Sequence, residues 1–407
     1  MKIIIRKVFI FVILAFCYAG KCSCNEQTNN CNIKINDKTK IQTAITNNKL
    51  KNKKIIRILS LDGGGTRGYI QVKFLEKFCS ESSITDLGEY FDLIVGTSIG
   101  GITAVLLADS MKPSDLVKFF REKSPWIFTI RSIQDVLSNN ASITSKKPNK
   151  LQMLYMISTG KPFYKSVSKD SNYGDVRLRK ELQSIFNNRS LTDLNTKVLL
   201  PAYDFINSKP IVFSNAKLHS IFAIRDVRIV EAAIATSGFP VYFSSSDLYK
   251  TQCTSIADGG LFQCNPSILA FIAAKELYPS ADKYYILSIG TGIKKINIDF
   301  DNGKKKHVKK SSSIIYNLLP VKYIKIWNVL IQNSKITNDI LLNNISNSKD
   351  SNVYYYRFDI DLDINKDCSF DTSTKEFFDY LDEAVESKYK EDNRKIKQFI
   401  KELKYNV

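Results

Sequence analysis

The stretch FDLIVGTSIGGITAVLLAD, Phe91 to Asp109, changes character in its middle. Phe91 to Val95 is a short apolar run of strand length that stops at Gly96. Beyond Ser98 the apolar residues continue for longer, as in a buried helix. Strand, Gly96-Thr97-Ser98-Ile99-Gly100, helix is the context in which a serine is held on a sharp turn with its hydroxyl presented outward. Gly100 and Gly101 permit close packing of that helix on the sheet behind the serine. The plainer alternative is a strand-to-helix turn in which Ser98 only caps the helix. A serine that attacks a carbonyl needs a base for its proton, usually histidine. This chain has two histidines, His219 and His307. His219 sits in AKLHSIF without a neighbouring motif, and His307 sits among lysines. Only His307 lies late enough for the serine, acid, histidine order of an α/β-hydrolase triad.

Outward from this turn the same alternation repeats. Ile55 to Leu61 is a β-type run. It is followed by glycines and by a segment in which Ile70, Phe74 and Phe78 fall every four residues on one helix face. Lys197 to Leu200, Pro210 to Phe213 and Tyr284 to Ile289 read as further strands, and Glu231 to Ala235 as a short helix. Strands alternating with helices predict an α/β protein, a three-layer α/β/α sandwich around a mostly parallel sheet.

Two more glycine-rich turns end β-type runs. Asp62-Gly63-Gly64-Gly65-Thr66-Arg67-Gly68 lets backbone N–H groups approach a ligand with no side chain in the way, at the positive end of the helix that follows. Such a loop holds a phosphate or an oxyanion. It lacks the Gly-Lys-Ser/Thr of a nucleotide loop and the Gly-x-Gly-x-x-Gly of a dinucleotide fold. Asp258-Gly259-Gly260 follows Thr254 to Ala257 and, taken alone, is an ordinary turn.

In this order the three turns resemble the patatin-like phospholipase family, and ATSGFPVYF (Ala235 to Phe243), DGGLFQCNP (Asp258 to Pro266) and ILSIGTG (Ile286 to Gly292) resemble segments of it. The resemblance covers about residues 55 to 295. It implies a catalytic pair, Ser98 as nucleophile and Asp258 as base, without histidine, and an oxyanion hole made by the N–H groups of Gly63, Gly64 and Gly65. The family often shows an Asn where Cys264 stands here, before Asn265. An ordinary aspartate, with a pKa of about 3.9, is a poor base; burial raises that value, and a direct hydrogen bond lets it take the serine proton. Arg67 has two readings, a brace for the loop or a contact for lipid phosphate. No metal cluster stands out and the chemistry calls for no cofactor. The resemblance implies a lipid acyl hydrolase acting at a phospholipid membrane surface. A non-catalytic binder of lipid or phosphate and an esterase or thioesterase of soluble acyl compounds are the alternatives.

The ends of the chain add context. Lys2, Arg6 and Lys7 precede the apolar run Val8 to Phe16, and Tyr18-Ala19-Gly20 supplies small residues, as in a signal peptide over 1–20 and an exported protein. Residues 21–53 read as a polar linker, 54–300 as the catalytic domain, 301–312 as a Lys-rich loop and 313–407 as a mainly helical extension packed on it. The formal net charge is +19, of which the leader holds only three charges. That excess attracts phosphate, and it also accords with the Lys, Ile and Asn bias of AT-rich coding. With the resemblance, an anionic membrane is the expected partner, nucleic acid is not, and a need for a protein activator stays open. In an oxidising compartment Cys253 and Cys264 are placed to form a disulfide beside Asp258; the alternative is two free thiols. Arg357 to Ile364 alternates as a strand with one acidic face. Its Asp359, Asp361 and Asp363 begin like a calcium loop, but Ile364 and Phe370 stand where Gly and Glu are needed. Ile396, Phe399, Ile400 and Leu403 give the last helix an apolar face.

Overall fold

Both faces of Ile55–Leu61 are apolar, with Ile56 and Ile58 buried on one side and Leu59 and Leu61 on the other. A strand of this kind belongs in the middle of a parallel sheet covered by helices on both sides. The computed structural model describes residues 55–127, 175–238, 246–248, 253–294, 320–363 and 365–405. The leader, the linker, the Lys-rich loop 301–312 and His307 lie outside them.

In chain order the elements are β1 (Ile55–Leu61), α1 (Tyr69–Ser82), β2 (Leu93–Gly96), α2 (Ile99–Ala108), α3 (Pro113–Ile127), α4 (Asp175–Phe186), β3 (Lys197–Asp204), β4 (Lys209–Ser214), β5 (Ala223–Ile224), α5 (Ile229–Thr236), β6 (Ser246–Leu248), β7 (Cys253–Asp258), α6 (Ser267–Leu277), β8 (Lys283–Ile289), β9 (Ile293–Lys294), α7 (Pro320–Ser346), β10 (Val353–Phe358), β11 (Asp361–Leu362), α8 (Lys375–Glu391) and α9 (Asn393–Tyr405). The sheet runs β10-β8-β1-β2-β3-β4-β5, parallel from β10 to β3, with β7 antiparallel on β3 and β6 antiparallel on β7. One apolar layer takes side chains from α1 to α5, α8 and α9; the other takes them from α6 and α7. This is the expected three-layer sandwich with C-terminal helices.

The region after residue 300 is woven into that sheet. β10 extends it beside β8, with Val353 to Phe358 opposite Tyr284 to Ile289, and the described residues form one compact unit. Tyr285 stacks on Tyr354 with ring centres 4.6 Å apart, and Ile396, Phe399, Ile400 and Leu403 of α9 are buried against the same layer. The apolar face of the last helix packs on the protein, as most such faces do.

The acidic strand expected over Arg357 to Ile364 is two short strands, β10 and β11, broken at Asp359. The break has a local cause. Asp359 turns inward, accepting from Arg357 at 2.7 Å and from the Gly292 N–H at 2.8 Å, so it lines no solvent face. Arg357 also donates to both carboxylate oxygens of Asp62, at 3.2 and 2.7 Å, and Lys335 stands 3.8 Å from the same carboxylate. Two cations thus balance two anions beneath the first glycine turn. Burial works against the Arg357 charge, but Asp62 and Asp359 outweigh it and hold its pKa well above the ordinary value. We expect Arg357→Met to leave the two carboxylates facing one ammonium and to lower stability by about 3–5 kcal/mol, read from the denaturant midpoint. A loss below about 1 kcal/mol would contradict a cluster that depends on this guanidinium.

Candidate active site

β3 offers one edge to two strands in succession. Leu93 to Val95 of β2 pair in parallel with Lys197 to Leu199. Farther along, Ile256 to Asp258 of β7 pair antiparallel with Asp204 to Ala202. β4 occupies the opposite edge over Leu199 to Asp204. β2 and β7 therefore run toward each other along the same edge, and their C-terminal ends meet between Leu199 and Ala202. Ser98 leaves one end and Asp258 stands at the other.

Ser98 has φ 57° and ψ −124°. A positive φ in a non-glycine residue costs about 1–3 kcal/mol and persists only when its surroundings hold it. Here the Thr97 N–H donates to the Leu61 carbonyl at 3.1 Å and the Thr97 hydroxyl to the Gln263 carbonyl at 2.7 Å. The Ser98 N–H donates to the Thr236 hydroxyl oxygen at 3.2 Å. Two residues on, Gly100 lies so close to β1 that an added Cβ would stand 2.4 Å from the Leu61 carbonyl oxygen. The wholly buried helix α2 starts at this point, its positive end under the serine.

Asp258 is 2% exposed. Its carboxylate accepts the Gly260 N–H at 2.6 Å and the Ser98 hydroxyl. Among the described residues no Lys, Arg or His forms an ion pair with it. Burial pushes its pKa up to about 7, while the hydrogen bonds from Ser98 and Gly260 pull the other way. The environment thus makes a weak acid into a group able to take a proton near neutrality.

The first glycine turn faces the pair, with an ideal Cβ on Gly63 lying 3.4 Å from Ser98 Cβ. The three glycines expected as oxyanion donors are not equivalent. The Gly63 N–H already donates to the Cys264 carbonyl at 2.9 Å and is unavailable, which corrects that part of the expectation. The N–H groups of Gly64 and Gly65 have no acceptor among the described residues. Gly65 has φ 59°, and a Cβ there would fall 2.0 Å from the Phe370 carbonyl oxygen, so glycine is required. Gly64, Gly65, Ser98 and Asp258 all line one cleft with about 900 Å³ of empty space, part of it open to solvent. Its walls are apolar, built by Ile99, Ile102 and Leu106 of α2, Phe119 and Phe120 of α3, and Leu178 of α4. The lining is mostly apolar, with the polar groups of Ser98, Ser124, Ser237 and Asp258 among it, a composition suited to an alkyl chain.

Other expected residues separate. Arg67 is 6% exposed, donates to the Gly64 carbonyl at 3.4 Å and lies over the Phe370 ring at 4.2 Å. It braces the loop and is not presented to a lipid phosphate. His219 is exposed and lines no part of the cleft. Cys264 is a free, buried thiol whose Sγ donates to the Gly63 carbonyl at 3.4 Å, so the disulfide with Cys253 is not formed. Burial pushes that thiol up to about 12, a poor nucleophile at neutral pH. Among the described residues no cluster of His, Cys, Asp or Glu could hold a metal ion, and no helix is long and apolar enough to cross a membrane. Sequence reasoning missed Thr236, Phe370, Lys335 and Arg357, which support the turns from distant positions. Thr236 and Thr291 lay within segments already singled out, ATSGFPVYF and ILSIGTG, though with no role attached to either.

A serine on a strained strand-to-helix turn faces a buried aspartate, and both line an apolar cleft in an α/β/α sandwich. The chain belongs to the patatin-like phospholipase family, whose model matches residues 59–271. It is 32% identical over 240 residues to the cGAMP-activated phospholipase of Vibrio cholerae serotype O1, covering 56% of this chain and 59% of that one. It is 28% identical over 269 residues to Patatin-like protein 1 of Arabidopsis thaliana, covering 58% and 59%. The chain spans about three fifths of the length of these relatives. Among solved structures, VipD from Legionella pneumophila aligns with 82% of this chain and 67% of its own, at 13% identity and a TM-score of 0.37.

Proposed function

We propose that this chain is a phospholipase A-type lipid acyl hydrolase that works through a Ser98 acyl-enzyme. The observation that carries the reading is the Ser98 hydroxyl held against a buried Asp258 carboxylate that has no cationic partner among the described residues. The Ser98 oxygen attacks the acyl carbonyl while its proton passes to Asp258. The carbonyl oxygen becomes an oxyanion, for which the N–H groups of Gly64 and Gly65 are the candidate donors. Collapse of the tetrahedral species returns the proton from Asp258 to the departing lysolipid oxygen. Water then attacks the acyl-enzyme, again giving its proton to Asp258, and the fatty acid leaves with Ser98 restored. The apolar walls favour a long acyl chain over a short soluble one, because each buried CH₂ contributes about 0.8 kcal/mol.

Purified protein mixed with defined phospholipid vesicles should release free fatty acid and lysolipid, measured by mass spectrometry. Vesicle binding with intact lipids would favour a non-catalytic binder, and turnover confined to short esters would favour a soluble esterase. The basic excess suggests an anionic membrane as the substrate surface, reached after export. Changing Lys304, Lys305, Lys306, Lys309 and Lys310 to Gln should weaken binding to anionic vesicles, more at low salt than at high. Turnover of a soluble ester should stay the same. Equal vesicle binding across a salt series would remove the loop from the docking surface.

A further inference from the structure

A buried ammonium stands two hydrogen bonds behind the glycine turn. Lys335, on α7 and 1% exposed, donates from Nζ to Thr291 Oγ1 at 2.6 Å. Thr291 Oγ1 lies 2.7 Å from the Gly63 carbonyl oxygen. The directions are forced. An ammonium only donates, so the threonine oxygen accepts from it and the single hydroxyl proton points to Gly63. The same carbonyl takes the weaker Cys264 thiol at 3.4 Å.

The Gly63 carbonyl and the Gly64 N–H are two ends of one planar, conjugated peptide group. Donors at its oxygen draw electron density from the nitrogen and make the N–H a stronger donor. Hydrogen bonds in series reinforce one another where the dielectric is low. Packing adds orientation, because a Cβ on Gly64 would stand 2.1 Å from Thr291 Oγ1, so the peptide lies flush against the threonine. Balancing Asp62 does not account for where the ammonium points. Arg357 makes both hydrogen bonds to Asp62, while Lys335 stays 3.8 Å from it. Among the described residues the ammonium makes its one hydrogen bond to Thr291.

We infer that Lys335 and Thr291 are positioning residues for acyl transfer, a relay that carries the lysine charge through the Gly63–Gly64 peptide to the oxyanion. The inference rests on the proposed oxyanion role of the Gly64 N–H. The relay acts on the tetrahedral state, where the negative oxygen exists, and leaves ground-state substrate binding alone.

Thr291→Val keeps the volume and removes the hydroxyl; Thr291→Ser restores it. With a lipid trifluoromethyl ketone, whose Ser98 adduct bears an oxyanion, Thr291→Val should lose about tenfold or more in affinity. Its kcat should fall in parallel with KM unchanged, and Thr291→Ser should recover most of both. Affinity for the matching alcohol, which has no carbonyl, should not change. Lys335→Gln keeps a donor to Thr291 and drops the charge; it should shift ketone affinity in the same direction by less, and it carries the test if Thr291→Val does not fold. Wild-type ketone affinity in the folded variant overturns the relay and leaves the Ser98 reading standing. If wild-type protein neither binds the ketone through Ser98 nor cleaves an ester, both readings fall together.

Discussion

Ser98→Ala is expected to give a folded protein whose release of fatty acid falls by about 10⁴-fold or more. In the proposed mechanism the other groups act only through the oxygen that is lost, so neither Asp258 nor the glycine turn can substitute for it. The turn itself should survive. Alanine carries the same positive φ as serine, and the bonds that hold the turn run through Thr97 and the Ser98 backbone N–H. Thermal melts and far-ultraviolet circular dichroism would check the fold, and mass spectrometry the products. Turnover near wild type would remove Ser98 from the chemistry. The double variant His219→Gln, His307→Gln should keep its kcat, and a large fall in a folded protein would bring a histidine base back into consideration.

Asp258→Asn should lower kcat by roughly 10²–10⁴-fold, the usual contribution of a positioned base, because an amide cannot accept the serine proton. The pH dependence follows from the same burial. With the Asp258 pKa raised to about 7, the base is protonated and inactive at lower pH. kcat/KM of the wild type should therefore rise through about pH 7 and then level off. Stability moves the other way. A carboxyl whose folded pKa lies above its unfolded value stabilises the fold fully below about pH 4, and that stabilisation is lost as pH rises through about 7. At pH 8 the buried charge is thus a burden of up to about 4 kcal/mol, which the neutral amide avoids. Asp258→Asn should melt above wild type at pH 8, with a smaller difference at pH 5. An inactive variant with no gain in melting temperature between pH 5 and 8 would show that Asp258 does not titrate near 7.

The same contrast between local and distant causes explains what was legible in the sequence. Ser98 was legible because strand, tight turn and buried helix lie within one stretch, Phe91 to Asp109, and each is set by period and glycine placement. The layers were legible because β1 and β8 are apolar on both faces. Asp258 was a different case. Its Gly-Gly neighbours are ordinary turn chemistry, and only the resemblance raised it to a base. Arg67 had two readings, and burial over Phe370 selects the brace. A strand was legible over Arg357 to Ile364, which meets β10 only at Arg357 and Phe358, and its place at the edge of this sheet was not legible, since the partner β8 is far away in the chain. The Gly63 N–H was misassigned, and the choice between a disulfide and a free thiol at Cys264 stayed open, because each has a partner that no local pattern specifies.

By itself the sequence determined what depends on neighbours along the chain: strand or helix, the glycine turns, the serine on its elbow and the apolar faces that must be covered. The tertiary structure decided what depends on distance in space. β2 and β7 meet head to head because β3 lends one edge to both, and that meeting sets Ser98 against Asp258. Enclosure by the surrounding layers then raises the aspartate to the range of a base. Contacts across hundreds of residues choose which glycine N–H remains unpaired. Backbone preference acts over a few residues, whereas desolvation and hydrogen-bond partnership exist only once the layers have closed.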